Sequence, residues 1–343
     1  MTRLRAAAAL SLLLAGLAPA HHPSGGSSAA GGQHTLNADG PLAGKIYLGS
    51  RVEATRFRDI STERLRRESA RGKGLHGIHS HLSFSVDGEV GITDWFSAGV
   101  SVPWVVTNNL RSMHSTSAHG GAAGGHALVE ESGLIVSHHT AGPTMVEDLS
   151  ESEADIDGLG DILLWAQATV RAGDVRIGFR AGVEVPVGET DEKDDRGGEI
   201  DMSHQPGSGS WDFLAGVAVA YVQERWTAGV SVLGRVNTRG RRNYEIGDAV
   251  TVSAGGSVNL APDHAGWTLS PTADLWAEWH GRDQDGRRRL EDSGGWMITA
   301  APGLRFTVGP LTVQASLPVQ LHNGIDDEPD ERIRGQLSVG LSF

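Results

Sequence analysis

Apolar residues recur at every second position through most of this 343-residue chain. In the last segment, one face of an extended strand carries Ile333, Leu337 and Leu341, and the opposite face carries Arg334 and Gln336. A period of two is typical of a β-strand, whereas an amphipathic helix repeats every 3.6 residues. The 47 glycines point the same way, because an interior glycine costs a helix about 1 kcal/mol relative to alanine. The sequence therefore predicts an all-β protein.

The alternating segments divide the chain from residue 44 onward into about twelve predicted strands. They cover residues 44–57, 76–92, 95–106, 158–171, 174–187, 211–222, 225–237, 247–260, 267–281, 294–308, 311–322 and 332–343. The connections between them alternate in length: 107–157 and 188–210 are long and polar, whereas 172–173 and 309–310 are tight turns.

Strand length separates the two folds that alternate in this way. A soluble sandwich also alternates, but its strands usually have about 5–6 residues, whereas membrane-spanning strands need about 9–11. An even number of long strands with alternately short and long connections predicts a transmembrane antiparallel β-barrel with up-and-down topology.

Tryptophans near the strand ends favour the membrane interpretation, because bilayers concentrate such rings at both interfaces. Trp95, Trp226 and Trp267 follow short turns, and Trp104, Trp211, Trp279 and Trp296 lie near the opposite ends. Tryptophan also packs at the rims of soluble barrels.

The N-terminal residues predict export. Residues 1–20 combine two arginines, an Ala/Leu-rich stretch and Ala18-Pro19-Ala20, the pattern of a signal peptide; a transmembrane anchor is less favoured because the apolar run is short. Residues 21–43 are rich in Gly, Ser and Ala and predict a flexible leader, in which three histidines could also hold copper or nickel. The barrel is then predicted to span 44–343. The C-terminal Phe343 resembles the assembly signal of bacterial outer-membrane barrels.

The composition excludes several partners and sites. The net charge of −13 gives no electrostatic footprint for nucleic acid. The absence of cysteine excludes disulfides and thiolate metal sites.

Several short phrases resemble a known family. These are Gly158–Ile162, Val185–Gly188, Gln205–Asp212, Leu317–Gln320 and Asn323-Gly324. In order and spacing they are similar to the outer-membrane transporter family of the MetA-pathway of phenol degradation, which is distantly akin to fatty-acid and aromatic-hydrocarbon channels. The resemblance covers about residues 76–343. It implies a barrel channel for small, often hydrophobic or aromatic molecules.

Strand alternation also predicts which side chains line the interior, because inward and outward residues alternate. The predicted pore lining is Arg51, Glu53, His79, His81, Asp87, Glu89, Trp165, Arg176, Arg180, Glu184, Arg235, Asp274, Trp276, Glu278, Arg305, Arg332 and Arg334, together with Asp161 and Asp212. Both signs of charge are present. Such residues either select solutes or simply pair across the lumen and hold the barrel in shape.

Histidines are concentrated in one predicted strand and the long connection beyond it. Imidazole suits zinc, copper or nickel, and the candidate ligands are His79, His81, His114, His119, His126, His138 and His139. Acidic runs in the outer connections are usually solvated; loosely held divalent metal near lipopolysaccharide is a second interpretation. No other cofactor is expected.

These observations favour an outer-membrane channel for passive passage of small solutes. The alternatives are a protein that binds or takes up a transition metal through its histidines, and a structural barrel without transport. An enzyme is not expected, because Gly207–Ser210 lacks the strand context of a nucleophile elbow. Expected partners are outer-membrane lipid, lipopolysaccharide, the barrel-assembly machinery and a small-molecule solute.

Overall fold

Long antiparallel strands account for most of the computed structural model, which describes residues 36–70, 75–115, 149–261, 266–291, 293–325 and 330–343. The strands of the main sheet are β1 (Ile46–Phe57), β2 (Gly77–Thr93), β3 (Phe96–Ser115), β4 (Leu149–Leu159), β5 (Ile162–Ala172), β6 (Val175–Val185), β7 (Asp212–Val222), β8 (Trp226–Val236), β10 (Ala249–Val258), β11 (Trp267–His280), β14 (Gly295–Val308), β15 (Leu311–Ser316), β16 (Val319–Asn323) and β17 (Glu331–Ser342). Strands β9 (Tyr244–Glu245), β12 (Gln284–Asp285) and β13 (Arg288–Arg289) form a small separate sheet.

The main sheet closes on itself. Each strand pairs antiparallel with its neighbours along the chain, β11 pairs with β14, and β1 pairs with β17, with Tyr47 opposite Ser342. Strands β4 and β5 form one wall strand interrupted at Gly160, and β15 and β16 form another interrupted at Pro318. The wall therefore has twelve strands, and the predicted transmembrane antiparallel barrel is confirmed.

Two strands extend further than the sequence predicted. The predicted connection 107–157 is partly strand, because β3 continues to Ser115 and β4 begins at Leu149. These extensions pair with each other, with Arg111 opposite Glu153. The acidic residues Glu153, Asp155 and Asp157 thus lie on the exposed face of a strand and not in a loop.

Burial follows the strand alternation. In β5, Leu163, Trp165 and Gln167 are buried, whereas Leu164 and Val170 are exposed. Apolar side chains cover the outer face, and the inner face is mainly polar. All seven tryptophans of the two predicted belts are exposed, three beside the short turns and four towards the other end. This arrangement is typical of a barrel surrounded by lipid.

One short helix lies outside the wall at the long-loop end. Helix α1 (Thr62–Ser69) begins after Ser61, whose hydroxyl accepts a hydrogen bond from the backbone N–H of Arg64. Leu65 on this helix is fully buried and packs over Gly77. No helix in the described ranges is long and apolar enough to span a membrane.

Candidate functional site

The interior of the barrel is polar and charged. Most side chains that the sequence predicted to face inward are buried: Arg51, Glu53, Asp87, Glu89, Trp165, Arg180, Glu184, Asp212, Asp274, Trp276, Glu278, Arg305 and Arg334. His81, Asp161, Arg176 and Arg235 are partly buried.

Two predicted lining residues are not on the inner face. His79 lies beside Asn109, which has a φ of 53° and belongs to the irregularity of β3 between Thr107 and Leu110; its side chain is 43% exposed and pairs with Asp59 at 3.4 Å. Arg332 lies in a β-bulge of β17 and is exposed. A bulge inserts one extra residue and shifts the alternation beyond it. Strict alternation therefore predicts the wrong face for these two residues.

Ion pairs join neighbouring strands across the inner face. Arg235 contacts the carboxylate of Glu184 and lies 3.7 Å from that of Asp212. Lower on the wall, the Arg180 guanidinium lies 5.1 Å from the ring centre of Trp165, and its Nε donates to Gln167 at 2.9 Å. These contacts hold charged groups inside the barrel without leaving the charges unopposed.

A further ion pair contains a residue that the sequence reasoning missed. Arg334 contacts Glu331 and lies 3.5 Å from Glu53. Because of the bulge at Arg332, Glu331 takes the inward position that parity assigned to that arginine. The bulge alone places Glu331 instead of Arg332 on the inner face, and the alternation of apolar residues in the sequence does not reveal the bulge.

Several buried polar atoms of the inner face lack a partner among the described residues. They are the hydroxyls of Ser83, Thr272 and Thr299 and the indole Nε1 of Trp165. A buried polar group without a hydrogen bond costs about 1–3 kcal/mol, and water normally satisfies such groups where space allows. The inner face therefore carries polar groups whose hydrogen-bonding capacity the described protein atoms do not use.

The chain immediately before β1 lies inside the barrel. Residues 36–42, here called the inner strap, belong to the segment predicted to be a flexible leader, yet Leu36, Asn37 and Ala38 are 5%, 6% and 2% exposed. The backbone N–H of Leu36 donates to Ser231 Oγ at 3.1 Å. These residues of the predicted leader are therefore packed against the inner face.

The inner strap follows the wall at the short-turn end. Ala38 packs against Ala218 and Ala220 of β7, and the N–H of Gly40 donates to Thr169 Oγ1 of β5 at 3.3 Å. Small residues make room for it: a Cβ on Gly178 would lie 2.9 Å from the carbonyl oxygen of Ala38. With Ser231 on β8 and Gly91 on β2 touching its two ends, the strap passes along half of the circumference.

At the opposite end, residues 186–211 between β6 and β7 form a loop, here called the mouth loop, that is fastened to the wall by Asp161. Asp161 Oδ1 accepts from the N–H of Gly188 at 2.8 Å, and Oδ2 accepts from the N–H and the hydroxyl of Ser208, both at 2.7 Å. Gly188 and Gly207 touch so closely that a Cβ on Gly188 would lie 2.7 Å from the Cα of Gly207. Three of the sequence stretches that carry the family resemblance therefore meet at Asp161.

The mouth loop also contacts the wall strands on either side of β6 and β7. Ile200 packs against Leu110 and Ile156, on the extensions of β3 and β4. Arg242, from the connection after β8, donates to the carbonyl oxygens of Ile200 at 2.9 Å and Thr190 at 3.3 Å. The loop is therefore held against the neighbouring strands at the mouth.

Two histidines join the mouth loop to the start of β2. The rings of His76 and His204 meet edge to face with centroids 4.4 Å apart, and His76 Nε2 lies 3.1 Å from Asp201 Oδ2. Burial, with the neighbouring His76, lowers the pKa of His204 to about 3. His204 is thus neutral while the loop is closed. Sequence reasoning did not single out this histidine, which has no partner nearby in sequence.

Two other groups of the loops have shifted pKa values. Burial, followed by the charge of Asp283, raises the pKa of Tyr244, whose hydroxyl donates to Asp283 at 2.5 Å. Burial and the carboxylate of Glu189 raise the pKa of Glu192 in the mouth loop.

The described part of the chain does not bring the predicted metal ligands together. His81 Nδ1 lies 2.8 Å from Thr107 Oγ1, whereas His79 pairs with Asp59. His119, His126, His138 and His139 lie outside the described residues, as does the side chain of His114. Among the described residues, no group of three or more His, Asp or Glu side chains could hold a metal ion.

Comparisons with known proteins agree with the fold. The chain is similar to the COG4313 outer membrane channel from Pseudomonas putida, with a TM-score of 0.55 and 12% identity over 89% of this chain and 98% of that one. It is more distantly similar to the KdgM porin, with a TM-score of 0.41 and 8% identity over 87% of this chain and 99% of that one. A sequence comparison with curated proteins finds no significant match.

A family model matches residues 104–319, which include Asp161 and its partners and the wall from the middle of β3 to the start of β16. This is well over half of the chain, and it contains most of the phrases that carried the resemblance. The chain belongs to the MetA-pathway of phenol degradation family.

Proposed function

We propose that this protein is an outer-membrane channel that passes small, water-soluble molecules passively. The observation that carries the proposal is the inner face: charged side chains of both signs are buried there, beside polar atoms such as the hydroxyls of Ser83 and Thr299 that have no described protein partner. If the interior were only a packed core, these groups would be hydrogen-bonded within the protein or replaced by apolar side chains. Water in the lumen satisfies them.

The composition of the inner face also indicates which class of solute the channel would pass. The lining is rich in carboxylates and guanidinium groups, with few large apolar side chains such as Trp165 and Leu214. A hydrophobic solute would have to displace water from charged groups without replacing their hydrogen bonds, which is unfavourable. This supports hydrophilic solutes over the hydrophobic or aromatic molecules that the family resemblance implies.

The orientation in the membrane follows from the loops. Outer-membrane barrels have short periplasmic turns and long external loops, so we place the inner strap at the periplasmic end and the mouth loop outside. The exposed side chain of Phe343 at the strap end is where the barrel-assembly machinery would recognise the chain. Lipid and lipopolysaccharide would surround the belts of tryptophans.

Reconstitution tests the channel. Folded protein in planar bilayers is expected to give discrete conductance steps, and in liposomes it should admit small sugars faster than large ones. Protein that is folded, as judged by its heat-modifiable mobility on a gel, yet gives neither steps nor swelling would leave a structural barrel as the better interpretation.

A further inference from the structure

The inner strap carries a single charged residue, Asp39, and the wall opposes it with two arginines. Asp39 Oδ1 lies 2.5 Å from Arg171 Nη2, and its Oδ2 lies 3.4 Å from Arg176 Nε. Arg171 also donates to the carbonyl oxygen of Gly40 at 2.8 Å. One carboxylate therefore bridges two cations at the short-turn end of the interior.

The two arginines are close to each other because of the strand register. Arg171 on β5 stands directly opposite Arg176 on β6, and both belong to the inward-facing series of their strands. Like charges directly opposite each other in a sheet repel. Asp39 relieves that repulsion, which explains why the strap is held at this point of the wall.

The bridge also changes the charge that a passing ion would meet. Arg171 and Arg176 alone give this part of the interior two positive charges, and Asp39 removes one of them. Glu89, whose Oε1 accepts from Ser97 at 2.7 Å, lies beside Gly40, and its charge also acts on Arg180 of the same inner face. The strap thus lowers the positive charge at this part of the inner face by one.

We propose that Asp39 of the inner strap determines the charge selectivity of this barrel, by neutralising the Arg171–Arg176 pair at the short-turn end. The inference rests on the proposed channel function. Without Asp39, the pair would attract anions and repel cations. One unit charge at about 8 Å in water changes the energy of a passing ion by about 0.5 kcal/mol, which corresponds to about a twofold change in its local concentration.

The test is the reversal potential of the full-length protein in a KCl gradient, converted to the chloride-to-potassium permeability ratio. In Asp39→Asn the ratio is expected to rise about twofold. In Arg176→Gln it should fall by a similar factor, because a cation is removed instead. Glu224→Gln is the matched control: it removes a carboxylate from an exposed turn at the same end of the barrel and should leave the ratio unchanged.

The outcomes separate the two proposals. A conducting wild-type protein whose ratio stays the same in Asp39→Asn and Arg176→Gln overturns the inference and leaves the channel intact. Equal shifts in Glu224→Gln overturn it as well, because the effect would then be one of surface charge. Folded wild-type protein that does not conduct overturns the channel, and the inference with it. If Asp39→Asn does not fold, Arg176→Gln tests the inference by itself. A fall in its chloride-to-potassium permeability ratio supports the inference, and an unchanged ratio overturns it.

Discussion

Ser208 donates two hydrogen bonds to the same carboxylate oxygen of Asp161, one from its backbone N–H and one from its hydroxyl. With the third bond, from Gly188, this carboxylate joins both ends of the mouth loop to the start of β5. Hydrogen bonds to a charged group contribute about 1.5–3 kcal/mol each. We therefore expect this one side chain to contribute measurably to loop closure.

Asp161→Ala is expected to release the mouth loop. The loop contains Lys193 and Arg196, so trypsin should cut it faster in the variant than in the wild type, and single-channel conductance should rise. Asp191→Ala, which removes an exposed carboxylate from the same loop, is the control. Equal cleavage rates in wild type and Asp161→Ala would mean that other contacts, such as those of Ile200, hold the loop.

Acid should open the mouth loop. In the closed loop the pKa of His204 is lowered to about 3, whereas a histidine in water has a pKa of about 6.5. The closed loop binds the proton less well, so its stability is fully present above pH 6.5 and falls as the pH drops towards 3, by up to about 1.4 kcal/mol per pH unit. Conductance should therefore rise between pH 7 and pH 5.

Other titratable groups face His204 and modify this response. His76 and His81 add to the cost of protonation, and Asp201 reduces it; Asp194 and Glu199 line the same cleft. His204→Gln cannot titrate at this position and is expected to flatten the pH dependence. His322→Gln removes an exposed histidine at the same end of the barrel and should keep it. A pH response that survives in His204→Gln would assign it to another group.

Arg235 is expected to be important for barrel stability. Its side chain contacts Glu184 and lies near Asp212, and these carboxylates are 7% and 0% exposed. Removing the cation from a buried ion pair typically costs about 3–5 kcal/mol. Arg235→Met should lower the urea concentration needed to unfold the barrel, measured by its gel mobility, whereas Arg332→Met, at an exposed position, should not. Equal midpoints would indicate that water in the lumen screens the two carboxylates.

Strand alternation was enough to predict the wall and most of the inner face, because a closed barrel of long strands repeats one local rule. It failed where the backbone breaks that rule, at the irregularity of β3 beside His79 and the bulge at Arg332. Asn109 is the one hint, since asparagine tolerates a positive φ better than most residues. Residues beyond such a point change faces, and composition does not reveal it.

The inner strap and the mouth loop were harder to predict for a different reason. Glycine and alanine around Ala38 indicated flexible chain, yet small side chains are also what fits against Gly178 and Ala218. The bonds that Ser208 donates to Asp161 join residues 47 positions apart, so only the pairing of β5, β6 and β7 brings them together. Local patterns do not carry such information.

Docking of the inner strap can be tested at Gly178, where a Cβ would lie 2.9–3.2 Å from three backbone atoms of Ala38. Gly178→Val should displace the strap, because overpacking costs about 1–3 kcal/mol. The chain has no cysteine, so a single Ala38→Cys reports the position of the strap through its reaction with a thiol reagent. Labelling should be about tenfold faster when Gly178→Val is added, since about 1.4 kcal/mol is a factor of ten. Gly335→Val is the control, because a Cβ there meets nothing within 4 Å; if labelling is equally slow in both, the strap tolerates the clash and is held by Asp39 and its arginines alone.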